Sequence, residues 1–198
     1  MRLALICLVA SAVLSLAIPA RPPADVPVIA IAKEESSMKF SVKASVALEG
    51  KFDQWDATLT FPSTDVTTGV LDIKIQAASV NTGSGMKDGK LKSKDFFDVE
   101  QDPLITFHSD KIEQTGPTTF NMPGTFTIRG VSKPETLTFT GSGTKGSGSG
   151  EIKGTMAFDR KDYGMNKGIP FIKIADRVEV IVDLKAKRVS GPPLVFKQ

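Results

Sequence analysis

His108 is the sole histidine of this 198-residue chain and Cys7 its sole cysteine. A zinc site takes three or four ligands, mostly His and Cys, so none is expected. His108 stands at opposite parity to Ile105 and Phe107, which places it on the solvent side of a strand. Asp95, Asp98, Glu100 and Asp102 are clustered, but they lack the regular spacing and central Gly of a calcium loop. They read as a solvated loop. No Ser nucleophile elbow and no phosphate-binding Gly loop occurs; Gly83-Ser84-Gly85 and the Gly/Ser tract 141–150 read as turns. Asp88 or Asp162 could serve a hydrolase or isomerase only if one of them sat at an apolar site. Lys87, Lys90, Lys92 and Lys94 form a basic stretch beside Leu91, Phe96 and Phe97. Two readings stand for it: a solvated face, or a mouth that attracts an anionic headgroup while the apolar residues touch its chain. No enzyme, metal or cofactor is expected.

The elements around these residues are strands. Met38, Phe40, Val42, Ala44, Val46 and Leu48 share one parity, and Lys39, Ser41, Lys43 and Ser45 the other. A period of two puts the first set on one face of a strand. The pattern returns at 52–61, where Trp55, Ala57, Leu59 and Phe61 alternate with polar residues and a bulge is expected near Asp53-Gln54. It continues at 70–80 with Leu71, Ile73 and Ile75, at 104–112 with Phe107, and at 120–131 with Phe126 and Ile128. It recurs at 135–141, at 152–159 with Phe158, and at 177–187. A hairpin is expected around Gly130 and Ser132-Lys133-Pro134. The segment 87–97 breaks the rhythm and reads as a short helix or helical loop. Eight strands with little helix indicate a sandwich or a barrel.

Composition narrows the class. A net charge of +3, small and spread out, argues against nucleic acid as the main partner. Arg2 followed by the apolar run 3–16 reads as an export signal spanning 1–17, cleaved after Ala17 or after Ala20. The mature chain then has no cysteine, lies in the periplasm or is secreted, and is held by its core alone. A Pro-rich linker, 18–33, precedes the domain at 34–187, and 188–198 is a C-terminal tail.

Several segments occur together in a known order: Ala78-Ser79-Val80-Asn81-Thr82, Lys87-Asp88, Leu91-Lys92-Ser93, Asp95-Phe96-Phe97-Asp98, Pro103 and Ile105-Thr106-Phe107. Gly124-Thr125-Phe126-Thr127-Ile128-Arg129-Gly130-Val131-Ser132-Lys133 and Asp159-Arg160-Lys161-Asp162-Tyr163-Gly164-Met165 follow. This ordered set resembles the YceI-like family over 34–187. The resemblance implies an all-β, antiparallel, eight-stranded lipocalin-like barrel with a helical cover, exported, binding a polyisoprenoid or similar long-chain amphiphile in its tunnel. Many relatives carry His where Ala44 and Lys90 stand here, so Lys90 could replace one of them as a cation.

The expected lining is Met38, Phe40, Val42 and Val46 from the first strand, then Trp55, Leu59 and Phe61, then Leu71, Ile73 and Ile75. Phe107, Phe126, Ile128 and Phe158 complete it, with Lys87 and Lys90 toward a headgroup. The partner expected is an isoprenoid or other long-chain lipid, with transient membrane contact. Oligomeric state stays open, a dimer included. The alternative is a structural or partner-binding barrel whose interior is solid.

Overall fold

The computed structural model describes residues 25–45, 48–143, 148–168 and 173–196. The expected signal, 1–17, and Val46 lie outside the described residues. In chain order the strands are β1 (Val28–Ile31), β2 (Ser37–Ala44), β3 (Leu48–Phe52), β4 (Trp55–Thr60), β5 (Val70–Gln76) and β6 (Val80–Asn81). Helix α1 (Gly85–Lys92) follows, then β7 (Leu104–Ser109), β8 (Glu113–Gln114), β9 (Thr119–Ile128), β10 (Val131–Gly143), β11 (Ser149–Asp159) and β12 (Ile174–Ser190). No helix among the described residues is long and apolar enough to cross a membrane.

All pairings are antiparallel within one sheet, apart from an isolated parallel bridge between Asp65 and Val195. The ring runs β1-β4-β5-β7-β9-β10-β11-β12 and returns to β1, which closes an eight-stranded barrel. The long strand β12 makes closure possible. Its C-terminal part pairs with β1 and its N-terminal part with β2, so β1 and β2 act as one strand interrupted at 33–35. The pairs β3/β4 and β5/β6 are likewise interrupted strands. Their breaks face one another: the Asp53 N–H donates to Ser79 O (3.1 Å), and the Gln54 N–H to Ser79 Oγ (3.0 Å). The bulge expected at Asp53-Gln54 is thus matched by a 3-10 turn at Ala77–Ser79, and the two strands bend together.

Three boundaries differ from the sequence reading. The stretch read as linker, 18–33, contains β1, because Val28–Ile31 supplies the closing strand. The helix covers 85–92 rather than 87–97. It stops where Ser93 Oγ donates back to Lys90 O (2.7 Å), and Phe96 and Phe97 follow in a turn. The β9–β10 hairpin turns on only Arg129 and Gly130, both at positive φ (55° and 68°), the geometry that matches strand twist. Pro134 lies inside β10. It pairs with Thr125 on β9, while β11 first pairs with β10 at Thr138, so its missing N–H falls on the unpaired side.

Alternate residues of each strand face inward and form one continuous core. The helix, the β9–β10 turn and residues 160–165 cap one end, called the upper end below. The C-terminal residues 194–196 cross the other.

Candidate functional site

The upper half of the barrel holds a cavity of about 60 Å³ whose wall exposes almost no polar surface. Strand β2 contributes Met38, Phe40 and Val42, and β3 contributes Leu48 and Phe52. Ile75, Ile105, Phe126, Ile128 and Phe158 come from β5, β7, β9 and β11. Ile174, Val178 and Val180 come from β12. Leu91, Phe96 and Phe97 roof it. Phe40, Phe52 and Phe97 stand together with centroids 5.6–6.4 Å apart and narrow the upper mouth. A water occupies roughly 10–15 Å³ on this measure, so the void matches about one five-carbon unit.

Seven of the expected lining residues stand on this wall: Met38, Phe40, Val42, Ile75, Phe126, Ile128 and Phe158. Leu59, Phe61, Leu71, Ile73 and Phe107 do not. They are buried in the lower half, where the interior is packed. They were expected on a tunnel wall and stand off this cavity: an inward side chain borders a void only where its neighbours leave one. Trp55 is half-buried at the margin of the core, off the cavity. Leu48, Ile105, Val178 and Val180 carry the same inward parity and could have been added from the pattern; Met165, outside any strand, gave no such signal.

Lys87 and Lys90 stand outside the wall. The Lys90 ammonium donates to Asp95 (2.6 Å) and lies 5.8 Å from the Phe96 ring centroid. That hydrogen bond is the main reason the Asp95 carboxyl sits below the usual range, with Lys167 and Lys94 adding attraction. Lys90 therefore pins the turn that carries Phe96. Asp88 Oδ1 accepts from the Thr82 N–H (2.8 Å) and hydroxyl (2.7 Å), bracing the approach to α1. Asp162 is exposed beside Lys133. Neither carboxylate reaches the cavity. His108 is exposed, its Nδ1 2.8 Å from Asp72. Among the described residues no group of three or more His, Cys, Asp or Glu could hold a metal.

Arg160 is the one buried cation at the site, 6% exposed, and its stem borders the cavity. It donates from Nε to Ala175 O (3.2 Å), from Nη1 to Met165 O and Lys167 O (2.8 Å), and from Nη2 to Asp176 (2.9 Å). A charge is tolerated here because its donors have partners. The side chain ties residues 165–167 and 175–176 to the turn that follows β11, which seats Met165 and Ile174 in the wall. Tyr163, fully buried, closes an aromatic cluster with Phe126 and Phe158 at 5.1–5.5 Å. Its hydroxyl donates to Glu135 (3.0 Å), and burial first, then that carboxylate, push its pKa up.

Asp176 supplies a pH test. The Lys161 ammonium, hydrogen-bonded at 2.7 Å, and then Arg160 hold its carboxyl below the ordinary range. A carboxyl whose folded pKa is depressed favours folding above the unfolded value, about pH 4, and loses that contribution as pH falls through the folded value. The melting temperature should therefore fall on acidification below about pH 4. Asp176→Asn should lower it at neutral pH, with the gap to the parent narrowing in acid. A gap independent of pH would contradict the assignment.

Residues 30–186 match the family described as the YceI-like domain. A UPF0312 protein of Pseudomonas savastanoi pv. phaseolicola is 30% identical over 122 residues, 60% of this chain. The match spans 64% of that relative, under two thirds of its length. The crystal structure of Burkholderia cenocepacia BcnA superposes with a TM-score of 0.71 at 24% identity, over 79% of this chain and 99% of BcnA. A polyisoprenoid binding domain from Saccharophagus degradans superposes at 0.65 with 15% identity, over 82% of this chain and 99% of that domain. At these identities the two structures establish a shared fold.

Proposed function

The chain belongs to the YceI-like family, and from that premise we propose that it is an exported binding protein holding the tail of an isoprenoid-type amphiphile in the upper cavity. Transport, storage or sequestration of that lipid is its role. The observation that carries this reading is a void inside a closed barrel whose wall offers a ligand almost nothing but hydrocarbon. The printed name of the Saccharophagus degradans neighbour supports the choice of ligand class. The sequence supports export through the apolar run 3–16 behind Arg2.

Burying each CH₂ gains about 0.8 kcal/mol, so one prenyl unit contributes on the order of 3–4 kcal/mol. Association costs roughly 4–15 kcal/mol, so one unit does not hold. A second or third must be buried as well, against the roof formed by Leu91, Phe96 and Phe97. Phe97 there belongs to a turn rather than to the sheet, and Phe96 N–H and Asp98 N–H both bond Ser93 O (3.0 Å) within that same turn. With almost no polar surface on the wall, the headgroup stays outside.

The test is mass spectrometry of an organic extract from gently purified protein. A lipid at about one per chain is the expected result. An empty extract with no uptake of added prenyl alcohol favours the second reading, a structural or partner-binding barrel. The packed lower half is the observation on that side. That reading also asks for a large outer apolar patch, whereas among the described residues the exposed large apolar ones, Met86, Leu104, Ile181, Val189, Val195 and Phe196, are divided among the helix, the two strands β7 and β12 and the C-terminal segment.

A further inference from the structure

We infer that the site measures tail length and saturates at roughly two or three prenyl units, because the barrel is blind below the cavity and its floor is rigid. This rests on the tail-binding reading above and specifies its ligand class. Along β2 the wall runs from Met38 to Val42. Four steps at ~3.3 Å, tilted as barrel strands are, give a depth of about 10 Å, short enough that a tail of two or three units reaches the bottom.

The floor consists of Ile73, Phe107, Leu137, Met156 and Val182, each buried and none on the cavity wall. Register sets this layer. Ile73 pairs with Phe107, and Phe107 pairs with Phe126, the last wall residue on β9. Two glycines fix the layer in place. A Cβ at Gly124 would stand 2.7 Å from Phe107 Cζ, so that ring lies down against bare backbone. A Cβ at Gly154 would stand 3.1 Å from Leu137 Cδ1, so the leucine is seated the same way. Side chains pressed on backbone have nowhere to retreat when a tail arrives.

Beneath the floor the interior stays full. Phe120 and Phe139 stack at 5.0 Å, and Phe196 lies 6.0 Å from Phe120. The C-terminal segment straps the lower end: the Val195 N–H donates to Thr64 O (2.8 Å), and Val195 O accepts from the Val66 N–H (3.1 Å). A tail therefore finds no lower exit. Units beyond the third extend past the roof into water, where they gain little.

The test is competition among equimolar prenyl alcohols of two, three, four and eight units, read by mass spectrometry of the extracted protein. The parent should gain at least about tenfold from two to three units and less than about threefold from three to eight. Phe107→Ala deepens the floor and should shift preference toward the longer alcohols by about tenfold relative to the parent. Ile73→Ala, a smaller deletion in the same layer, covers the case in which Phe107→Ala does not fold and should shift preference the same way. Delivery effects cancel in the comparison with the parent, and unfolding cannot produce a gain. A parent that prefers the eight-unit alcohol tenfold over the three-unit one overturns the length limit alone, as does a folded floor variant with unchanged preference. A parent that takes up none of the series overturns tail binding as well.

Discussion

Replacing Arg160 by Met is expected to destabilise the barrel by about 3 kcal/mol, lowering the melting temperature by roughly 6–12 °C. The substitution keeps the apolar stem that borders the cavity and removes the guanidinium. The carbonyls of Met165, Lys167 and Ala175 then lose their donor, and Asp176 keeps only Lys161. Leaving a buried acceptor unpaired costs about 1–3 kcal/mol, less where water can reach it, so the sum exceeds what a surface ion pair contributes. Arg160→Lys should recover less than half of the loss, because an ammonium cannot span four acceptors in the fork geometry of a guanidinium. Thermal denaturation of the three proteins at neutral pH decides the matter. A Met variant as stable as the parent would show that residues 165–167 and 175–176 hold their place without this anchor.

Val42→Trp carries the second large effect. Val42 is buried and faces the void near the upper mouth, and an indole there takes up volume comparable to the cavity itself. Overpacking costs about 1–3 kcal/mol, which the barrel should survive because no charge enters the core. Lipid affinity should fall by about a hundredfold or more, the worth of one excluded prenyl unit. Ile181→Trp is the control. Ile181 is 40% exposed on the outer face of β12, between Thr155 and Lys39, so the same indole there should leave affinity unchanged. Equal affinity for the parent and a folded Val42→Trp protein would move the lipid site away from this cavity.

The strands were legible in the sequence because nearly every one is wet on one face, so parity alone sorts Met38, Phe40 and Val42 from Lys39, Ser41 and Lys43; that they close into a barrel rather than a sandwich was legible only through the family resemblance. The break at Asp53-Gln54 was legible too, through the parity of Phe52. Its counterpart at Ala77–Ser79 was not, since the reason for it lies in hydrogen bonds from Asp53 and Gln54 across the sheet. Parity likewise says that a side chain points inward, not what it meets there. Phe107 and Phe126 are cross-strand partners of equal inward parity, yet one borders the void and the other closes it, and Gly124 on the neighbouring strand decides which. Lys90 reads as a headgroup cation in one dimension. The turn at Ser93 brings Asp95 back to it and gives it a structural task that the linear sequence did not show. Arg160 belongs to a segment visible from the sequence, but its partners come from 165–176, a stretch without strand rhythm in its first half.

Photo-crosslinking tests the central claim, that an alkyl tail sits in the upper barrel. A farnesyl alcohol carrying a diazirine at its tail end, bound to the full chain and irradiated, should label Met38, Phe126, Phe158 or Val180, the deep wall of the void. Labelling confined to the outer strand faces or to the C-terminal residues 194–196 would contradict a tail held inside the barrel.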